Sequence, residues 1–385
     1  MTISFRSVIP ENFKSTYNEN DTVDFILTFP GENLNLGSIR LEGVLEVKLS
    51  EGDGRLYESL SANNVVEEVL LDEFAGAHSL FTSIQTEING SVIESVNNLP
   101  RFVKMASAAT NMPADMCNAR NICELKAPSR AMAKTLIVGE IPANGTIPDG
   151  FKIPGVGGGP DFSIRPIIAL NSSRGQMPYR RTGDIRISVN IARNVEALYG
   201  MAMDDEVVLN ISDLRLTYNT YPDDGGNENM SPIQLRSITS IKQSVQSTLS
   251  NNASKVPAVV SAVSISFNLQ SNENTYIGNH LALQTVPQLE ELQLNFNDST
   301  NKGISFVIRD NVETIGRYID SFGDTGRNAM SRKAMMNNKA YGVGLDFGGD
   351  MIDLRRQKFN TQISSAITNN TAMVAHYYFH SLINV

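Results

Sequence analysis

Few residues in this 385-residue chain have types and spacings that could do chemistry, and each set is incomplete. The four histidines are His78, His280, His376 and His380. A metal centre on a β-barrel needs a His-x-His pair and further ligands converging on one pocket. No pair of that kind is present. His376 and His380 lie four apart, and their neighbours Ala375, Tyr377, Tyr378 and Phe379 favour a strand. On a strand the two would share a face, two steps along. All four histidines are therefore expected to pack or hydrogen-bond. Gly155-Val156-Gly157-Gly158-Gly159-Pro160 looks like a phosphate loop but lacks the Gly-Lys-Ser/Thr ending. Pro160 also removes a backbone donor where a helix would have to begin. Asp346-Phe347-Gly348 matches a kinase magnesium motif without its partner motifs and is read as a strand end before a glycine turn.

Asp223-Asp224-Gly225-Gly226-Asn227-Glu228 concentrates acid but lacks calcium-loop spacing, so a solvated linker is expected, with a bound cation left open. Cys117 and Cys123 fit no metal or redox spacing and are read as reduced, partly buried thiols, a disulfide not being implied. No Gly-x-Ser-x-Gly elbow occurs. No catalytic residue, no cofactor-binding residue and no metal ligand is nominated, and the chain is expected not to be an enzyme.

Charge points the same way. Lys+Arg is 32 and Asp+Glu is 41, for a formal net charge of −9. Phosphate binding needs a concentrated basic surface, so strong direct nucleic-acid binding is not expected. The one basic concentration is Arg327, Arg332, Lys333, Arg355, Arg356 and Lys358, read as salt bridges or a solvated face, with lipid head groups or nucleic acid as the sharper alternative. The first residues show no charged segment followed by an apolar run, and no apolar stretch is long enough to cross a membrane as a helix.

The elements that would have to position these residues are mostly strands. Period-two alternation runs through Ile39, Leu41, Leu45, Val47 and Leu49, and through Ile185, Ile187, Val189 and Ile191. It recurs in Val263, Ile265, Phe267 and Leu269, in Leu292, Leu294 and Phe296, and in Ile304, Phe306 and Ile308. Phe359, Ile363 and Ile367 continue the pattern, and an aromatic strand from Met373 to Leu382 closes it. Asn89-Gly90 between alternating runs predicts a tight hairpin, because a type I′ turn needs positive φ at both central residues. Residues 297–303 predict a longer one. The 38 asparagines, more numerous than Lys and Arg together, suit turns better than helix interiors. Helices are few: Arg101–Thr110, residues 311–322, and a shorter one at 194–200.

Residues 221–233 concentrate Pro, Gly, Asn and acid without periodicity, which divides the chain into two β-rich halves. Each has room for about eight strands, the number in a jelly roll. The expected division is an N-terminal arm and first strand at 1–36, a first unit at 37–221, a linker at 222–234 and a second unit at 235–385. A weak echo between Val189–Glu196 and Phe306–Glu313 would fit a duplication.

The ending Leu345-Asp346-Phe347-Gly348, then Gln357-Lys358-Phe359-Asn360, then His376-Tyr377-Tyr378-Phe379-His380-Ser381, resembles the last strands of double jelly-roll major capsid proteins of tailless icosahedral viruses. That lineage includes lipid-containing bacteriophages and the adenovirus hexon. The resemblance covers most of the chain in length and architecture but carries no diagnostic motif. It implies an all-β fold with a few short helices and two jelly-roll sandwiches side by side. It also implies a structural major capsid protein whose pseudo-hexagonal homotrimers tile an icosahedral shell. The implied partners are the chain itself, neighbouring capsomers, other capsid proteins such as the vertex protein, and an internal viral membrane. Its place would be the virion, after synthesis in the host cytoplasm. Residues 1–20, with Arg6 and Lys14, are candidates for an arm touching a neighbour or membrane, and 142–160 and 323–340 for surface or inter-subunit loops. The alternatives are a minor vertex (penton) protein and a carbohydrate-binding β-sandwich. The absence of Trp and the 7% aromatic content weigh against the latter, since sugars stack on exposed rings.

Overall fold

The structure is a computed structural model that describes residues 3–49, 71–72, 74–110, 123–126, 161–198, 207–223, 232–246, 251–254, 259–273, 280–283, 289–297, 303–308, 311–322, 342–347, 351–355, 358–365 and 372–385. The N-terminal half supplies β1 (Ser4–Val8), β2 (Thr16–Tyr17), β3 (Thr22–Leu27), β4 (Glu32–Leu36), β5 (Arg40–Leu49), β6 (Phe81–Ile88) and β7 (Ser91–Asn97). Helix α1 (Leu99–Thr110), β8 (Asp161–Ile164), β9 (Gly175–Pro178), β10 (Ile185–Ile191) and β11 (Val207–Pro222) complete it. The C-terminal half supplies β12 (Gln234–Gln246), β13 (Asn251–Ser254), β14 (Val259–Leu269), β15 (Leu289–Asn297) and β16 (Gly303–Ile308). It ends with helix α2 (Asn311–Asp320), β17 (Val343–Asp346), β18 (Ile352–Asp353), β19 (Lys358–Ser365) and β20 (Ala372–Asn384).

The two halves are wound identically. In the first, β1–β11–β5–β8 packs on β3–β10–β6–β7; in the second, β12–β20–β14–β17 packs on β13–β19–β15–β16. Counting the eight principal strands of each half in chain order, both give layers 1-8-3-6 and 2-7-4-5, the winding of a jelly roll. In both, strands four and five form a hairpin and a helix follows, α1 after β7 and α2 after β16. The fold is all-β with a few short helices, a double jelly roll.

Local chemistry explains the shared parts. Asn89 and Gly90 have φ of +54° and +73°, as the β6–β7 turn demands. Ile185, Ile187, Val189 and Ile191 of β10 are all buried while Arg186 faces solvent. Each such burial contributes about 1.5–3 kcal/mol. The echo between Val189–Glu196 and Phe306–Glu313 joins strands of different rank: the first copy is on β10, strand seven of its half, the second on β16, strand five. Both are simply strand-to-helix exits with the same local needs, so the repeat lies in the winding and not in those residues.

The halves are joined in one sheet. Residue Ser95 of β7 pairs in parallel with Thr239 of β12, giving a nine-stranded sheet that runs through both jelly rolls. On the far side of that sheet, the free edge of β3 is covered by the N-terminal segment. Glu11 N donates to Asp24 O at 2.8 Å, and Asn12 Nδ2 donates to Thr22 O at 2.6 Å. Asp24 N donates to Asn12 Oδ1 at 3.1 Å, so this edge is closed to strand addition.

Candidate functional site

The feature that sets this molecule apart from a pair of independent sandwiches is the joint between them. It is built on the part of the nine-stranded sheet that belongs to the second jelly roll. Val263, Ile265 and Phe267 of β14, with Met373, Ala375, Tyr377 and Phe379 of β20, enter the second core. Their neighbours Ser264, Ser266 and Asn268, and Val374, His376 and Tyr378, point the other way and are buried as well. Cross-strand register aligns Ser264 with Tyr378, Ser266 with His376, and Lys242 of β12 with His376.

Both helices lie over this second face. Tyr318 of α2 is buried and its hydroxyl donates to Met105 O of α1 at 2.6 Å. Tyr378 donates to Asn98 O, just before α1, at 2.9 Å. Phe102 of α1 meets Tyr378, His380 and Phe322 with ring centroids at 5.0, 5.6 and 5.7 Å. Gly344 of β17 permits the approach of α2, because a methyl group there would stand 2.8 Å from the Tyr318 Cα. Ser264 Oγ lies 2.8 Å from His380 Nε2 and 3.0 Å from Ser321 Oγ.

The joint also carries charge. Arg101 of α1 is fully buried and donates to His280 O at 2.8 Å, with Glu273 at 3.7 Å. Glu273 is held more tightly by Lys242, at 2.6 Å, and Asn268 Nδ2 donates to it at 3.1 Å. Lys242 and Arg101, with the ring of His280 beside them, hold the Glu273 carboxyl below its ordinary range against the opposing effect of burial. Burial, reinforced by Arg101, pushes His280 down to about 4 and His376 well below the ordinary imidazole range. Burial likewise lowers His380 to about 4 and raises the Tyr378 hydroxyl well above the ordinary phenol range. The joint therefore holds neutral imidazoles and phenols between a buried guanidinium and its carboxylate.

The other sequence-selected residues lie apart from it. His78 is buried in the first half, its ring nitrogens 3.2 Å from Ala75 O and 3.3 Å from Arg165 O. Asp223 sits 3.7 Å from Arg180. Cys123 is an exposed free thiol, not a partly buried one. Arg355 is bound by Asp353 at 2.7 Å. Cys117, Asp224, residues 155–160, Gly348, Arg327, Arg332, Lys333 and Arg356, with the expected loops 142–160 and 323–340, lie outside the described residues. Among the described residues no group of His, Cys, Asp and Glu is placed to hold a metal ion, and no helix is long and apolar enough to cross a membrane. Exposed large apolar side chains gather at the N-terminal segment: Ile3, Phe5, Ile9 and Phe13, with Phe5 82% exposed.

Sequence reasoning missed the joint. Serine, asparagine and histidine alternating with apolar residues read as a solvent face. The available signal was charge: residues 259–269 and 372–384 contain no Lys, Arg, Asp or Glu. A strand with one wet face ordinarily carries some, as Arg186 does on β10.

No family model matches the sequence, and no curated protein matches it. Among solved structures the chain is similar to the Faustovirus major capsid protein, with a TM-score of 0.59 at 9% identity, over 100% of this chain and 90% of that one. It is similar to PBCV-1 VP54 as fitted into a reconstruction of the virophage Sputnik, with a TM-score of 0.58 at 10% identity, over 100% and 95%. The PBCV-1 virus capsid gives 0.56 at 10% identity, over 100% and 94%. At such identities the likeness is one of fold: these neighbours are double jelly-roll capsid proteins, and the double jelly roll is the fold of this chain.

Proposed function

We propose that this chain is a structural major capsid protein, a building block of an icosahedral viral shell, with no catalytic role. The observation that carries the reading is the double winding with a buried joint, spanned end to end by major capsid proteins of similar fold. Physically, two sandwiches locked by α1 and α2 make a stiff wall, and loops at the ends of the sheets can vary without disturbing it. The chain associates with itself in this reading, as pseudo-hexagonal homotrimers that meet neighbouring capsomers and a vertex protein within the virion.

The apolar side chains of Ile3, Phe5, Ile9 and Phe13 are the surface that self-association would cover first, since contiguous exposed apolar residues mark interaction sites. Both nearby cations are already neutralised, Arg6 by Glu32 at 2.6 Å and Lys14 by Asp21 at 2.7 Å. That favours a protein neighbour over an anionic membrane surface, which needs free basic charge. The proposed units are an arm and first strand at 1–36, a first jelly roll at 37–221, a link at 222–234 and a second jelly roll at 235–385, with β1 and β3 of the arm region laid into the first unit's two sheets.

Mass measurement and electron microscopy of the purified chain test this. Trimers with a six-sided outline are expected; pentamers would make it a vertex protein, and a stable monomer at high concentration would remove the coat reading.

A further inference from the structure

Glu94 of β7 places a carboxyl inside the first jelly roll. It is 2% exposed and stands opposite Thr86 of β6 in register, on the strand face that also buries Ile84, Ile88 and Val96. Thr86 Oγ1 donates to Glu94 Oε1 at 2.7 Å, and Ala169 N donates to both carboxyl oxygens at 2.8 Å. Other buried carboxylates of this half have a cation: Asp72 meets Lys104 at 2.5 Å, and Glu124 meets Lys126 at 2.9 Å. Glu94 is met by a hydroxyl and a backbone amide.

The bond to Ala169 reaches the second jelly roll. Ala169–Ser172 is a single helical turn, too short to hold its shape alone. Asn171 Nδ2 donates to Ile39 O at 3.0 Å, and Ile39 N donates to Asn171 Oδ1 at 3.2 Å, just before β5. Ser172 Oγ accepts from Arg236 N of β12 at 2.9 Å, and Ser173 Oγ donates to Gln234 O of β12 at 2.7 Å. The turn is therefore a second clasp between the halves, made by residues other than those of the aromatic joint.

Among the described residues no charged side chain bonds the Glu94 carboxyl. Glu87 of β6 accepts from Gln85, and Arg165, before the turn, donates to Asn171 O. Arg236 of β12 is exposed, and the His78 ring lies between Ala75 O and Arg165 O. Burial raises the Glu94 carboxyl to about 7, against the opposing effect of its bonds from Thr86 and Ala169. The neutral acid keeps both contacts, its O–H donating to Thr86 Oγ1 and its other oxygen accepting from Ala169 N. The carboxylate keeps them too, but it is then an unpaired charge in a core, and opening the turn to water relieves that cost.

We propose that Glu94 is a proton-operated latch on this clasp: the protonated carboxyl fastens the turn Ala169–Ser172, and with it β12, and the ionised carboxyl lets the clasp open. The carboxyl titrates at about 7 in the fold and at 4.5 in the unfolded chain, so the folded chain binds more protons between those values. Its contribution is complete below 4.5 and is lost as pH rises through about 7. The histidines of the joint respond in the opposite sense and over a more acid range.

Hydrogen exchange of the intact protein between about pH 6 and pH 8, corrected for the intrinsic pH dependence of exchange, tests this. Protection of residues 168–173 is expected to fall about tenfold across that range, with residues 234–236 following and β10 unchanged. Glu94→Gln copies the neutral acid, its amide N–H donating to Thr86 and its carbonyl accepting from Ala169, and is expected to make the protection independent of pH. A flat profile in the unaltered protein, a fall that Glu94→Gln leaves in place, or a fall at 168–173 that 234–236 do not share would overturn the latch. Should Glu94→Gln fail to fold, the profile of the unaltered protein decides.

Discussion

The two jelly rolls share a winding but not a pattern of burial. On β10 of the first, apolar residues go in and Arg186 goes out, with half its side chain exposed. On β14 and β20 of the second, both faces are covered, one by the second core and one by α1, α2 and the segment around His280. One continuous sheet thus serves as an outer wall where it is the 2-7-4-5 layer of the first half and as a shared partition where it is the 1-8-3-6 layer of the second. Topology is set by which strands pair; burial is set by what lies across the sheet. A jelly roll becomes half of a larger block when the wet face of one sheet gives up its charges and accepts helices.

The comparison can be broken most violently at Ser266. Ser266→Lys places an unpaired ammonium on the buried face, opposite His376 in register, and is expected to cost at least about 4 kcal/mol or prevent folding. Soluble yield and a urea midpoint measure it; a soluble variant of normal midpoint would mean the face is open. Phe102→Ala empties the aromatic cluster that α1 shares with Tyr378, His380 and Phe322, with an expected loss of about 3 kcal/mol in denaturant unfolding.

Acid sharpens the contrast further. His280 and His380 fall from 6.5 to about 4 in the fold and His376 is lowered as well, so the unfolded chain binds more protons between those values. Stability from these groups is complete above pH 6.5 and is lost as pH falls toward 4. Hydrogen exchange is expected to report loss of protection in β14 and β20 before β10 as the pH is lowered. Tyr378→Phe removes the bond to Asn98 O and should cost about 1 kcal/mol. Arg186→Ala on the exposed face should stay within about 0.5 kcal/mol, although it ends an ion pair with Asp24 at 3.0 Å. Equal effects for Tyr378→Phe and Arg186→Ala would erase the distinction between the two faces.

Much of this architecture was legible in the residues. Alternation located β10 and β14, an aromatic run located β20, and Asn89-Gly90 located the β6–β7 hairpin, because those signals are local. The helix at 101–110 begins two residues earlier, at Leu99, with Pro100 in its first turn, where a missing donor costs nothing. What could not be read locally was the second face. Ser264, Ser266 and Asn268 look the same to a pattern of period two whether water or a helix lies above them, and the covering residues Arg101, Phe102 and Tyr318 stand 50 to 167 positions away in sequence. For the same reason His376 read as an ordinary packing residue; its unpaired nitrogens arise only when both halves are assembled. The duplication was misplaced because local similarity followed strand exits, whereas the true correspondence is one of strand rank.

The coverage of that second face can be measured at a single side chain. His376 lies at its centre and is 1% exposed. Treating the native protein at pH 7 with an imidazole-acylating reagent, followed by peptide mass spectrometry, reports whether it can be reached. The account predicts that His376 stays unmodified in the native protein and reacts freely once the chain is unfolded; modification at the unfolded rate in the native protein would contradict the buried joint.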